Sequence, residues 1–496
     1  MPTSHPKINI CNLIFLGDSL SDRGTFYKRK LFDFIPLKYL YVKGYRSSPR
    51  ERFTNGFVWG DYVCAAIIEE YEIDAQRKKR KLGQNSSANA DISDAILINE
   101  SQSRQKNEEA FSLNDDRHIL YNGKRFARFY CEAGLTSYDY TTKLTIDLVE
   151  EGARLTVTNL ESKRKLLIQD DKKYKIDAIE KYETLVVEWS GANDLLTVNK
   201  KPSLMAANNA VNSRIENLEI LIKNGYRNFV LFNLPDLSLT PRYQVKSKEE
   251  QEVARQCSIY FNEQLANKMQ QLQKKYQNLN LPVRLSIFDV NSHFKEIYDN
   301  PKKYNLDENK LKFSYLDSEE FKQNQKNSAE KGEHISPSTD YMFWDGIHPS
   351  MRIHSLLAEK FEETYNPIFK FIESDSVPYA HFPVKVLKIL DDIYLNAMSM
   401  EKSSKSERQR KGELLKQFNS GLKCKSGNLQ EMHLYIKSFI ENTEHMNLLK
   451  KHNNPIFDFF AGIKTTRSED YFKTLIKMIE EEDKNISQEK SFVIHG

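Results

Sequence analysis

The sequence predicts an α/β fold, a parallel sheet with helices on both faces, followed by a mostly α-helical C-terminal domain. Two observations carry this. Short apolar, β-branched runs alternate with stretches of helical period as far as about residue 373, and such alternation builds right-handed parallel βαβ units. Beyond residue 373 the strand signals stop and apolar residues recur only at helical spacing. At 496 residues the chain also exceeds the roughly 250–300 at which single cores stop growing. Two domains, 8–373 and 374–496, are therefore expected.

Residues 8–17 read as a strand that runs out of "NLIF" into a Gly-Asp-Ser corner. The segment "RFTNGFVWGDYVCAAII", 52–68, turns at Asn55-Gly56 and continues with helical spacing. A polar stretch at about 74–118 reads as an insertion too poor in apolar residues to fold alone. Its "RKKRK", 77–81, fits a solvated charge run better than a localisation or phosphate-binding patch. "FARFYCEAGLTSYDYT", 126–141, reads as a strand ending in a small-residue turn, and 153–176 alternates like a polar β-hairpin. "TLVVEW" is a buried strand breaking at "SGAND". Helices over 205–224 and 248–276 then precede strands in "FVLFNLPDLSLTP" and "VRLSIFDVN", and "MFWDGIHPSMRIHSLLAEKF" closes the pattern. Helical periodicity returns over 383–400, 411–423, 428–451 and 467–483.

The charges nearly balance, 73 basic against 69 acidic residues, so bulk electrostatics give no case for a nucleic-acid partner. Cys11, Cys64, Cys131, Cys257 and Cys424 are scattered and odd in number, which points to reduced thiols. The N-terminal apolar run is too short for a signal peptide and contains the Gly-Asp-Ser corner. No stretch approaches the ~18 apolar residues of a membrane span. The expected location is the cytoplasm, or export without a cleavable signal.

Acyl transfer from an ester needs a nucleophile, a base, a group orienting that base, and donors aimed at the developing oxyanion. Ser19 follows the first strand, where open α/β sheets place ligands. Gly134 offers a backbone N–H after the second strand, and Asn193 a side-chain amide after the third. Asp345 and His348 arrive together, three positions apart, in a loop shaped by Gly346 and Pro349. His354 with Asp345 could suggest a metal pair, but a third ligand is missing. A packed helix histidine fits better, and neither metal nor cofactor is expected. Phe343 and Trp344 read as core or as the wall of an acyl pocket, with core the better fit.

Five stretches, "GDSLSD", "RFTNGFVW", "AGLTSYDY", "GAND" with "NLPDLSLTP", and "FWDGIHP", resemble in order and spacing the GDSL, or SGNH, hydrolases, most closely their bacterial lipases and lysophospholipases. The resemblance implies an SGNH-hydrolase-like sheet in which Ser19 is the nucleophile, His348 the general base and Asp345 its orienting carboxylate. The backbone N–H of Ser19, Gly134 and the Asn193 amide would form the oxyanion hole. It further implies cleavage of carboxylic esters of lipids, phospholipids or lysophospholipids, with acyl transfer to another alcohol also within the family. Alternatives are a short-chain or carbohydrate acetylesterase and, in another class, an inactive scaffold acting through its helical tail. Ala133 and Leu135, where similar lipases carry smaller residues, would reshape the acyl entrance. The lysine-containing tail suggests peripheral membrane or partner contact. Its acidic ending "MIEEEDKNISQEK" fits a solvated helix end better than an export signal, although it is similar to those of effectors exported by intracellular bacteria through type IV secretion.

Overall fold

The computed structural model describes residues 7–31, 35–36, 51–79, 118–121, 124–141, 157–174, 178–199, 201–279, 281–331, 340–373, 405–423 and 429–450, with isolated positions at 154 and 176 and within 389–400 and 470–478. Two compact units are present, Met1–Tyr276 with Pro282–Ser374, and Gln277–Leu281 with Asp375–Gly496.

The strand expected over 8–17 is two strands. β1 (Ile8–Ile10) pairs in parallel with Phe369–Phe371 in a small separate sheet, and β2 (Asn12–Gly17) enters the main sheet. The step between them falls at Cys11, where the N–H groups of Cys11 and Asn12 both donate to the Glu183 carbonyl, at 2.8 and 3.3 Å. That shared acceptor moves the chain from one ladder to the other.

β3 (His118–Tyr121), β4 (Lys124–Cys131), β5 (Thr184–Trp189), β6 (Asn228–Phe232) and β7 (Arg284–Phe288) complete the main sheet in the order β3-β4-β2-β5-β6-β7. Five strands are parallel and β3 runs antiparallel to β4 at the edge. The parallel sheet expected from the sequence thus carries one antiparallel edge strand. An Asn-Gly pair at 122–123, the strongest short hairpin signal, joins the exception to its neighbour.

Helices cover both faces because alternate strand residues point to opposite sides. On one face Phe15 stacks on Phe129 with ring centroids 4.3 Å apart, and both meet α1 (Trp59–Lys79). The opposite face is tied by polar groups. Arg128 on β4 pairs with Asp171 at 2.8 Å, and Glu188 on β5 pairs with Arg214 at 2.5 Å. Asp171 belongs to α2 (Leu160–Lys173), which lies where the sequence suggested a hairpin. Alternation there was an accident of charged residues whose burial depends on partners across the sheet. Asn159 caps this helix, its Oδ1 accepting from Ser162 N at 2.8 Å.

α1 runs six residues into the stretch read as an insertion, and residues 80–117 lie outside the described residues. Four described cysteines, Cys11, Cys64, Cys131 and Cys257, are buried free thiols. The second unit contains helices Ser406–Lys423, Leu429–Glu441 and Thr443–Lys450 around a core that includes Leu415, Phe418, Ile436 and Phe439. One helix was expected over 428–451. Asn442 divides it, because its Oδ1 accepts from the N–H groups of Glu444 and His445 and so caps a new helix. The spans 383–400 and 467–483, Cys424 and the acidic ending lie largely or wholly outside the described residues.

Candidate active site

Strand register brings the site together. Gly17 is level with Cys131 on one side and Trp189 on the other, so β2, β4 and β5 end on a common line. Ser19, Gly134 and Asn193 follow within two to four residues of that line, at the carboxyl edge where open α/β sheets bind ligands.

Two of these turns depend on glycine. Gly134 has φ +79°, and a Cβ there would meet Val157 Cγ1 at 3.2 Å. Gly191 has φ +119°, and its Cβ would overlap the Phe261 ring at 2.6 Å. Glycine escapes both the dihedral cost and the collision. The helix Ala192–Leu196 can then start immediately after β5 with Asn193 in its first turn.

Ser19, His348 and Asp345 form a continuous hydrogen-bonded chain. Ser19 Oγ lies 2.7 Å from His348 Nε2, and His348 Nδ1 lies 2.6 Å from Asp345 Oδ2. The other carboxylate oxygen, Oδ1, accepts from the backbone N–H groups of Ile347 at 2.8 Å and His348 at 2.7 Å. Asp345 therefore shapes the loop and grips the ring at once. Asn193 Nδ2 donates to the Leu135 carbonyl at 3.1 Å, while its Oδ1 accepts from Thr197 Oγ1 at 2.6 Å. An amide nitrogen carries two hydrogens, so one remains for a ligand.

Several residues that fix this geometry lie inside the quoted blocks, where the sequence reading gives them no role. Burial pushes the Asp22 carboxyl up to about 6. Its oxygens accept from the N–H groups of Gly24, Thr25, Phe26 and Ala133, joining the Ser19 loop to the Gly134 turn. Asp194, raised to about 7 by burial, accepts from Ser137 and Tyr138 N–H and ties the Gly134 and Asn193 loops together. Asp18, beside the serine, is likewise pushed up to about 7 by burial.

The block "RFTNG" holds the histidine loop. Thr54 Oγ1 donates to the Pro349 carbonyl at 3.0 Å, Asn55 Oδ1 accepts from Met351 N at 2.6 Å, and the Phe53 ring lies 5.3 Å from the His348 ring. Asp61 anchors that block, pairing with Arg23 at 2.7 Å and Arg52 at 2.6 Å.

His354 is fully buried, and burial lowers its pKa to about 3. Its Nδ1 accepts from Trp59 N at 3.2 Å, a packing role beside the helix it joins. Trp344 is core, whereas Phe343 is both core and a wall of the cleft beside Ser19. Ala133 lines the adjoining cavity, but Leu135 is fully buried and offers that space none of its side chain. Of the two residues expected to reshape the acyl entrance, Ala133 alone is among the described residues of that wall.

A family model described as GDSL-like Lipase/Acylhydrolase matches residues 13–361. Among curated proteins, the chain is similar to the secreted effector protein SseJ of Salmonella typhimurium, 23% identical over 72% of this chain and 65% of that one. It is also similar to the phosphatidylcholine-sterol acyltransferase of Aeromonas hydrophila, 25% identical over 40% of this chain and 64% of that one. The thermolabile hemolysin of Vibrio parahaemolyticus is 26% identical over 36% of this chain and 41% of its own. The matched stretches thus span less than two thirds of each relative. Among the described residues, no helix is long and apolar enough to cross a membrane.

Proposed function

Since the chain belongs to the GDSL-like lipase/acylhydrolase family, we propose that it is a serine ester hydrolase of lipid substrates that works through an acyl-enzyme on Ser19. The observation that carries this reading is the unbroken contact Ser19 Oγ–His348 Nε2–Asp345, at 2.7 and 2.6 Å. His348 takes the serine proton as Oγ attacks the ester carbon, and Asp345 holds the resulting imidazolium. The N–H groups of Ser19 and Gly134 and the Asn193 amide receive the oxyanion. His348 then protonates the leaving alcohol. Water completes hydrolysis by the reverse relay; a second alcohol in its place gives acyl transfer, the activity named for the Aeromonas relative.

Residues 8–373 are proposed as the hydrolase domain. The helical tail is proposed to contact membrane or partner, with the whole protein exported as the Salmonella relative's name describes for that protein. A fluorogenic ester panel of graded chain length tests the activity. Wild type should prefer long acyl chains and Ser19→Ala should fall to the uncatalysed rate; equal rates for the two proteins would favour the scaffold reading, and a preference for acetyl esters the acetylesterase.

A further inference from the structure

Two cavities diverge from Ser19, and both include Ser19, Asn193, Ile347 and His348 in their walls. An ester held at the serine has two arms to place, its acyl chain and its alcohol. One cavity is walled by Leu20, Trp189, Leu237, Phe294 and Phe343, and its charged lining residues are Asp18 and Asp236. Apolar walls suit a hydrocarbon chain. The other cavity, of about 250 Å³, is walled by Phe26, Phe53, Ala133, Val157 and Thr197, together with Arg242. Arg242 is the one permanently charged side chain among the described residues of that wall.

Resting on the serine-esterase reading, we propose that Arg242 receives an anionic phosphate on the alcohol arm, so that this site selects phosphate-bearing acyl esters over neutral glycerides. The Arg242 side chain is exposed, and among the described residues no carboxylate lies within ion-pair distance of it. Among the described residues it makes one hydrogen bond, from Nη1 to the Leu196 carbonyl at 3.3 Å. A guanidinium carries five donors in a planar fork matched to phosphate oxygens, so most of that capacity is unspent among the described residues. Its main chain is fixed to the catalytic loop, Arg242 N donating to the Gly346 carbonyl at 2.8 Å. Position is thus set by backbone, and the side chain can be changed without breaking that bond.

The test measures kcat/KM of the full chain on palmitoyl lysophosphatidylglycerol and monopalmitoylglycerol, each in the same nonionic micelles. Wild type should favour the phosphate ester. Arg242→Ala should lower the ratio of the two by about 10- to 100-fold, the worth of a hydrogen bond to a charged group. Arg242→Lys, which keeps a point charge without the fork, should restore part of it. Glycerol phosphate should inhibit wild type more strongly than Arg242→Ala. A wild-type preference for the neutral ester, or an equal slowing of both esters in Arg242→Ala, would overturn the assignment. So would Arg242-dependent inhibition by glycerol phosphate with an unchanged substrate ratio, which would mark a site for free phosphate. Failure of the underlying reading looks different: Ser19→Ala would then retain ester hydrolysis whatever the ratio.

Discussion

Replacing Asp345 by asparagine tests the proposed relay with almost no change of shape. The two backbone N–H groups on Asp345 Oδ1, from Ile347 and His348 at 2.8 and 2.7 Å, can be satisfied only by an oxygen. The asparagine amide must therefore turn its oxygen to the backbone and its NH2 to His348 Nδ1. That nitrogen, now facing a donor, has to be the acceptor of the neutral ring, and the ring proton moves to Nε2. Nε2 lies 2.7 Å from Ser19 Oγ and can no longer take the serine proton. A wrong tautomer in a triad lowers kcat by about 10,000-fold, or about 5 kcal/mol in the barrier at about 1.36 kcal/mol per decade. The loop's backbone bonds survive, so the variant should fold and melt near wild type. Steady-state kinetics on a fluorogenic ester beside thermal melts by circular dichroism provide the assay. A folded Asp345→Asn enzyme within tenfold of wild-type kcat would refute the tautomer argument and the role given to His348.

Asn193→Ala removes one oxyanion donor and should reduce kcat by about 100- to 1,000-fold with little change in KM; a KM effect alone would move Asn193 to ground-state binding. Asp61→Ala strips the shared carboxylate from Arg23 and Arg52, whose side chains are 0% and 3% exposed. Urea denaturation should register a loss of about 3–5 kcal/mol, and a loss under 1 kcal/mol would show that the cluster relaxes. His354 concerns pH. Its folded pKa is lowered to about 3 by burial, below the ordinary value near 6.5, so between those values the unfolded chain binds the extra proton and stability rises with pH. Asp18, Asp22 and Asp194, with folded values of about 7, 6 and 7, act oppositely and lose stability as pH rises from about 4 through those values. His354→Gln, which still offers Trp59 N an oxygen, should remove up to about 1.4 kcal/mol per pH unit of acid sensitivity between pH 4 and 6. Urea midpoints at several pH values would read this, and an unchanged slope would contradict it.

Local chemistry made much of this protein legible in one dimension. Runs such as "LVVEW" and "FVLF" are continuous apolar strands because both faces of a parallel sheet are covered, and Ser19, Gly134, Asn193, Asp345 and His348 could be named from the turns that follow such strands or from a short loop. Family resemblance supplied their proposed roles. What the sequence could not carry were relations between distant segments. Residues 160–173 look like a strand pair until Asp170 and Asp171 find Tyr130 and Arg128 across the sheet, and burial of charge depends wholly on such partners. Asp22, Thr54, Asn55 and Asp194 carry no local mark of what they do, because each acts through a hydrogen bond to a loop from another part of the chain. Residue types and strand ends are thus determined by the sequence alone. The 2.7 Å between a serine hydroxyl and an imidazole 329 positions away is decided by strand register and buried carboxylates, which exist only once the sheet has closed.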